Sequence, residues 1–180
     1  MIAFIGEASV GRVMTRDEAI VHVAEAKRNG RRVVFTCGRF ELLHPGHVRC
    51  LEGARSLGDI LVVGVNSDAG ASARKDKGRP LVAQEERAEI LCALQAVDVV
   101  VVFESDTLRQ FITLLSPDVL VARGNGRPGE IIGREEVEAA GGRVVSIPAV
   151  PGYSTAAILR RIRKPLGKDK GLSSSGANKT

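Results

Sequence analysis

The sequence predicts an α/β fold: a Rossmann-like, doubly wound parallel sheet of five strands with helices on both faces. Three observations predict it. Five short runs, Val33 to Thr36, Ile60 to Val65, Val99 to Phe103, Val119 to Val121 and Val144 to Ile147, are β-branched and almost unbroken in hydrophobicity. Strands buried on both faces read this way, whereas half-exposed strands alternate. Helix-period segments lie between the runs, roughly Pro45 to Leu57, Gln84 to Ala96, Thr107 to Leu115 and Glu130 to Ala140. Such alternation implies right-handed crossovers and one mainly parallel sheet. Aromatic residues are only 3% of the 180 and tryptophan is absent, which leaves a core of Val, Leu, Ile and Ala suited to buried parallel strands.

Each element carries its own local signal. Thr15-Arg16-Asp17-Glu18 is a capping-box pattern followed by Ile20, Val23 and Ala24 at helical spacing, with Gly30 as the stop. One helix therefore precedes the first strand, and His22 on it reads as solvent-facing. The first strand leads through Gly38-Arg39-Phe40-Glu41 into His44-Pro45-Gly46-His47 at the start of the next helix. Pro45 suits the first helical position, and Gly46 lets a ligand approach the backbone closely. A helix N-terminus offers unpaired N–H groups and a positive dipole end, so an anion is held there. His44 and His47, three apart, fall on one side of that turn and can address the same phosphate. In doubly wound sheets ligands bind at the carboxyl ends of strands near the switch in strand order, which is where this turn falls.

Three further stretches carry chemistry. Lys75-Asp76-Lys77-Gly78-Arg79-Pro80 is a basic link whose lysines could reach over to a transferring phosphoryl group or an acceptor phosphate. Arg123-Gly124-Asn125-Gly126-Arg127-Pro128-Gly129 fits G-x-G-x-x-G by chance, because it comes late, contains a proline and has no following acidic ribose partner. It reads instead as a glycine-rich loop at the end of its strand, shaping a pocket for base or sugar. Gly152-Tyr153-Ser154-Thr155 opens a final helix with Ile158, Leu159 and Ile162 on one side and Arg160, Arg161 and Arg163 on the other. Ser154 is its N-cap, and the hydroxyls and free N–H groups there can hold a terminal phosphate.

Composition narrows the function classes. The formal charge of +5 is spread among acidic residues, as in Glu85-Glu86-Arg87 and Arg134-Glu135-Glu136, and no aromatic-plus-basic stacking pattern accompanies it, so nucleic acid is not the expected partner. Cys37, Cys50 and Cys92 form no C-x-x-C pair, which argues against disulfides or zinc and for a reducing compartment. Cys50 and Cys92 read as buried small hydrophobes, and nothing near Cys37 marks it as a nucleophile. Met1 to Gly6 has no basic leader and is too short for a signal or a membrane span, so the expectation is cytoplasmic, with no membrane partner. One compact domain is expected over 1–165, followed by a disordered Gly-, Ser- and Lys-rich tail over 166–180.

Taken in order, Gly38-Arg39-Phe40-Glu41-Leu42-Leu43-His44-Pro45-Gly46-His47, Gly64-Val65-Asn66-Ser67-Asp68, Gly78-Arg79-Pro80-Leu81 with Glu86-Arg87, and Gly152-Tyr153-Ser154-Thr155 resemble the cytidylyltransferase-like nucleotidyltransferases. Within that superfamily the chain is most similar to the D-glycero-β-D-manno-heptose 1-phosphate adenylyltransferases, over about Thr15 to Arg163. The resemblance implies attack by a sugar 1-phosphate on the α-phosphorus of ATP, giving ADP-heptose and pyrophosphate without a covalent enzyme intermediate. It implies Mg²⁺ arriving with ATP, with no protein ligand to the metal assigned, and a homodimer. By the same resemblance His44, His47 and Lys75 are the catalytic set. Gly38, Arg39, Phe40, Gly46, Arg87, Arg123, Gly124, Asn125, Ser154 and Thr155 bind nucleotide, and Glu41, Asn66, Lys75 and Arg79 bind the acceptor.

Several positions depart from the family pattern. The usual Asn-Gly-Cys-Phe-Asp before the histidines is Cys37-Gly38-Arg39-Phe40-Glu41, one methylene longer at the acid. The usual Lys-Gly-Gly-Asp is Ala122-Arg123-Gly124-Asn125, and the last hydroxyl triplet ends in Ala156. The alternative reading is a cytidylyltransferase for glycerol 3-phosphate or a related alcohol phosphate. That branch carries Arg-Thr-Glu-Gly-Ile-Ser-Thr where this chain has Ala149-Val150-Pro151-Gly152-Tyr153-Ser154-Thr155, which favours the sugar branch. A non-catalytic nucleotide-binding protein of the same fold is disfavoured by the presence of both histidines and Lys75.

Overall fold

A computed structural model describes residues 11–72, 80–124 and 131–163. The site candidates Lys75, Arg79 and Asn125 and the expected tail over 166–180 lie outside the described residues. Strands β1 (Arg12–Val13), β2 (Val33–Gly38), β3 (Ile60–Asn66), β4 (Val99–Phe103), β5 (Val119–Arg123) and β6 (Arg143–Ile147) form one sheet in the order β1-β4-β3-β2-β5-β6. Every pairing in it is parallel. The expected doubly wound sheet is there, with six strands among the described residues rather than five. The extra strand, β1, is a two-residue edge pairing Arg12 and Val13 with Val99 and Val100 of β4. Two exposed residues carry no hydrophobic period, so nothing in the sequence marks them as a strand.

The helices are α1 (Arg16–Arg28), α2 (Pro45–Arg55), α3 (Asp68–Ser72), α4 (Gln84–Cys92), α5 (Leu108–Leu115), α6 (Arg134–Ala139) and α7 (Thr155–Ile162). The capping box of α1 forms as its pattern requires: Thr15 Oγ1 accepts from the Glu18 N–H at 3.3 Å, and the Glu18 carboxylate accepts from the Thr15 N–H at 2.8 Å. Helix α4 stops at Cys92, short of Ala96, and α6 begins only at Arg134, after Gly133 turns the chain at φ 86°. Five-residue α3 is too short to show a period in the sequence.

Strand side chains alternate between two cores. Val33, Phe35, Ile60, Val62, Val99 and Val101 pack under α1, α5 and α6, while Val34, Leu61, Val63, Val65 and Val100 pack under α2 and α4. Each such fully buried Val, Leu or Phe contributes about 1.5–3 kcal/mol relative to exposure. The chain runs outward from β2 through β3 to β4, then crosses back to place β5 on the other side of β2. That reversal is the switch point, and it opens a crevice beyond the carboxyl ends of β2 and β5. Thr36 Oγ1 donates to the Val121 carbonyl at 3.0 Å and ties the two strands just below it. Among the described residues no helix is long and apolar enough to cross a membrane.

Candidate active site

The crevice is built from three strand and helix ends. The first is the passage from β2 to α2. Phe40 there is buried with φ 48°, in the left-handed region that bulky residues avoid. Its ring lies 3.2 Å from where a side chain on Gly38 would begin, so a larger residue there would push the ring by a few tenths of an ångström. His44 caps α2: its backbone is extended at φ −150° and ψ 164°, and its Nδ1 accepts from the His47 N–H at 3.3 Å. Accepting at Nδ1 assigns the proton of the neutral ring to Nε2. The two imidazoles stack with centroids 3.8 Å apart and planes at 16°, and the Phe40 ring packs against His47 at 5.2 Å, tilted by 52°.

Both histidines are buried, and His44 Nε2 and His47 Nδ1 have no hydrogen-bond partner among the described residues. Burial pushes the His47 pKa down to about 3, assisted by the charges of His44 and Arg123 and opposed by a hydrogen bond with the Leu42 backbone. His44 is lowered too, by burial first and then by Arg123. At neutral pH the pair is therefore uncharged, and it serves as polar N–H and N groups rather than as cations. A bound phosphate opposes the shift, because negative charge nearby favours the protonated rings.

The second end is that of β5. Arg123 is exposed there, and Gly124, at φ 89°, turns the chain while its N–H donates to the Ile147 carbonyl at 2.8 Å. The third is the N-terminus of α7, where Gly152 turns at φ 82° and Ser154 Oγ accepts from the Ala157 N–H at 3.1 Å. These ends enclose a cleft of about 360 Å³ lined by His47 and Phe40 on one side and by Arg123, Ser154 and Thr155 on the other, with Arg39 and Glu41 at its edge. A cleft of this size, with two guanidinium groups and two helix N-termini, suits a phosphate-bearing ligand. Among the described residues no cluster of His, Cys, Asp and Glu can hold a metal by itself.

Three expected site side chains among the described residues, His44, Asn66 and Arg87, do not line this cleft. The Asn66 side chain donates to Ser105 Oγ at 3.1 Å and does not line the cleft. Arg87 is buried beneath the site, donating to the carbonyls of Arg39, Asn66 and Val82 and to Asp68. Glu41 is buried at the cleft edge, where it accepts from the Leu81 N–H at 3.2 Å. Tyr153, with no role predicted from sequence, places its ring 6.5 Å from His44 and beneath the Arg49 guanidinium at 5.6 Å. Its position just before the Ser154 cap was the only available signal. Burial pushes the Cys37 thiol up to about 12, which agrees with its reading as inert.

A parallel sheet with this switch-point crevice, an imidazole-bearing helix N-terminus on one side and a hydroxyl-capped one on the other, defines an α/β protein with an anion-suited crevice at the carboxyl ends of its strands. The chain belongs to the cytidylyltransferase-like family, whose model matches residues 35–161. It is 44% identical over 161 residues to the bifunctional protein HldE of Pelobacter propionicus, covering 89% of this chain and 33% of that protein. To HldE of Geobacter sulfurreducens it is 50% identical over 147 residues, covering 82% and 30%. The chain thus spans about a third of the length of the curated relatives it matches. The crystal structure of the lipopolysaccharide core biosynthesis protein from Thermoplasma volcanium GSS1 shares the fold, with a TM-score of 0.58 at 24% identity over 67% of this chain and 99% of that one.

Proposed function

We propose that this chain transfers AMP from Mg²⁺-ATP to D-glycero-β-D-manno-heptose 1-phosphate, releasing pyrophosphate and forming ADP-heptose. The observation that carries the reading is the stacked His44–His47 pair at the N-terminus of α2, of which His47 faces Arg123 and the N-terminus of α7 across one cleft. Among the described residues the set is one for positioning and charge stabilisation, with no activated nucleophile, which suits direct displacement at phosphorus.

The reaction needs the α-phosphorus held in line with the acceptor oxygen and the growing charge on the pyrophosphate stabilised. His44 Nε2–H and the His47 ring supply directional contacts to phosphate oxygens. Arg39 and Arg123 supply fixed positive charge. The first-turn amides of α7, beside the Ser154 cap, hold the far end of the triphosphate. Mg²⁺ bound to the nucleotide would neutralise phosphate charge. Lys75 and Arg79 are assigned to the acceptor phosphate, and the homodimer is expected, by the resemblance; the single domain over 1–165 is expected from length and composition.

The test is pyrophosphate release with Mg²⁺, each nucleoside triphosphate, and either heptose 1-phosphate or glycerol 3-phosphate. Release with ATP and heptose 1-phosphate is expected. Release only with CTP and glycerol 3-phosphate moves the chain to the alcohol-phosphate branch, and release with no pair removes the enzymatic reading.

A further inference from the structure

Arg87 is the largest fully buried side chain among the described residues, at 1% exposure. A guanidinium removed from water is tolerated only when its charge and its donors are met. Here Nη1 donates to the Arg39 carbonyl at 2.5 Å and Nε to the Val82 carbonyl at 3.0 Å. Nη2 donates to the Asn66 carbonyl at 2.9 Å and to Asp68 Oδ1 at 2.7 Å. The acceptors come from three segments: the exit of β2, the junction of β3 with α3, and the approach to α4. Arg87 itself does not line the cleft.

The Arg39 carbonyl belongs to the peptide that enters Phe40. Holding it fixes the plane from which Phe40 must turn to φ 48°, a conformation that persists for a bulky side chain only where its surroundings over-determine it. The ring so placed meets His47 at 5.2 Å, and His47 in turn stacks on His44 at 3.8 Å. Gly38 leaves room for the same ring from below.

We infer that Arg87 is a positioning residue: by clamping the Arg39–Phe40 peptide it seats the Phe40 ring against His47 and holds the two imidazoles in register at the N-terminus of α2. Its effect on turnover rests on the adenylyl-transfer reading given above, whereas its effect on the imidazoles does not. Lysine cannot replace it, because a compact ammonium with three donors cannot span acceptors on three segments.

The experiment compares the wild-type chain, Arg87→Lys, Phe40→Gly and the double variant by imidazole ¹⁵N–¹H spectroscopy and by steady-state pyrophosphate release. The chain has three histidines, so the spectra are sparse. In Arg87→Lys the His47 signals are expected to move toward averaged tautomers. Its kcat is expected to fall about tenfold or more, with KM for ATP changing less than threefold. Phe40→Gly, free to adopt positive φ but lacking the ring, is expected to move His47 in the same way, and adding Arg87→Lys to it moves His47 no further. A raised KM for ATP with unchanged His47 signals would make Arg87 a nucleotide contact and overturn the inference, as would fully additive spectral effects. If Arg87→Lys lacks a cooperative unfolding transition, Asp68→Ala takes its place and must shift His47 in the same direction; no shift overturns the inference. If the wild-type chain releases no pyrophosphate, the proposed reaction fails and the spectra still decide the role of Arg87.

Discussion

Gly46 shows how a single missing side chain serves two neighbours. A Cβ there would lie 3.0 Å from Tyr153 Cβ and 3.1 Å from both Cε1 and Nδ1 of the His44 ring. The His44 ring is held by its stack on His47 and by the His47 N–H, so it cannot give way without losing both contacts. Gly46→Ala therefore sets a helix-propensity gain of up to about 1 kcal/mol against an overpacking cost of about 1–3 kcal/mol. The net change in stability is small, while His44 moves by a fraction of an ångström to about 1 Å. A displacement of that size at a reacting centre lowers turnover by about 10²-fold. Gly46→Ala is expected to keep its thermal midpoint within several degrees of wild type and to lose about 10²-fold in the rate of pyrophosphate release. Near-normal turnover would mean that the His44 ring has more freedom than its contacts indicate.

Helix α7 has eight residues, none of them buried, and so falls below the length at which a helix is stable by itself. Its first turn, which closes the cleft, depends on the Ser154 cap more than α1, with 13 residues and buried Ala19, Val23 and Ala26, depends on Thr15. Each cap is worth about 1 kcal/mol. Ser154→Ala is expected to raise amide exchange selectively in α7 and weaken ATP binding, while Thr15→Ala lowers global stability by a similar amount and leaves ATP binding alone. Equal ATP affinity in the two variants would remove α7 from the phosphate site. What made these elements readable from sequence is that caps are local: Thr15 with Glu18, His44 with His47, Ser154 with Ala157. The five long strands were readable because burial on both faces leaves unbroken apolar runs. By contrast β1 and α3 are too short to show a period, and the surroundings of Arg87 are assembled from residues 39, 66, 68 and 82, a combination that no window of sequence contains.

At the scale of the whole molecule, two buried neutral imidazoles make stability depend on pH. The His47 pKa is about 3 in the folded chain against 6.5 for an unperturbed histidine, and His44 is shifted the same way. Below pH 6.5 the unfolded chain therefore binds protons that the native state refuses, and the equilibrium moves toward unfolding by up to about 1.4 kcal/mol per pH unit for His47, with His44 acting in the same direction. The stabilising contribution is complete above pH 6.5 and is lost as the pH falls toward 3. The lowered carboxyls of Glu18 and Glu136 act only below about pH 4.5, where the unfolded chain begins to protonate them. The histidine window thus stands apart from the carboxylate one. Urea midpoints are expected to be flat from pH 8 to 7 and to fall steadily from 6.5 to 4.5. A His44→Gln, His47→Gln double variant is expected to lose the fall between 6.5 and 4.5 and to retain the one below it. ATP, whose phosphates favour the protonated rings, should be bound with net uptake of protons near pH 6, measurable as a buffer-dependent heat of binding. A wild-type profile that stays flat down to pH 5 would mean that the imidazoles titrate in the native state, and that the site meets its nucleotide with charged rather than neutral histidines.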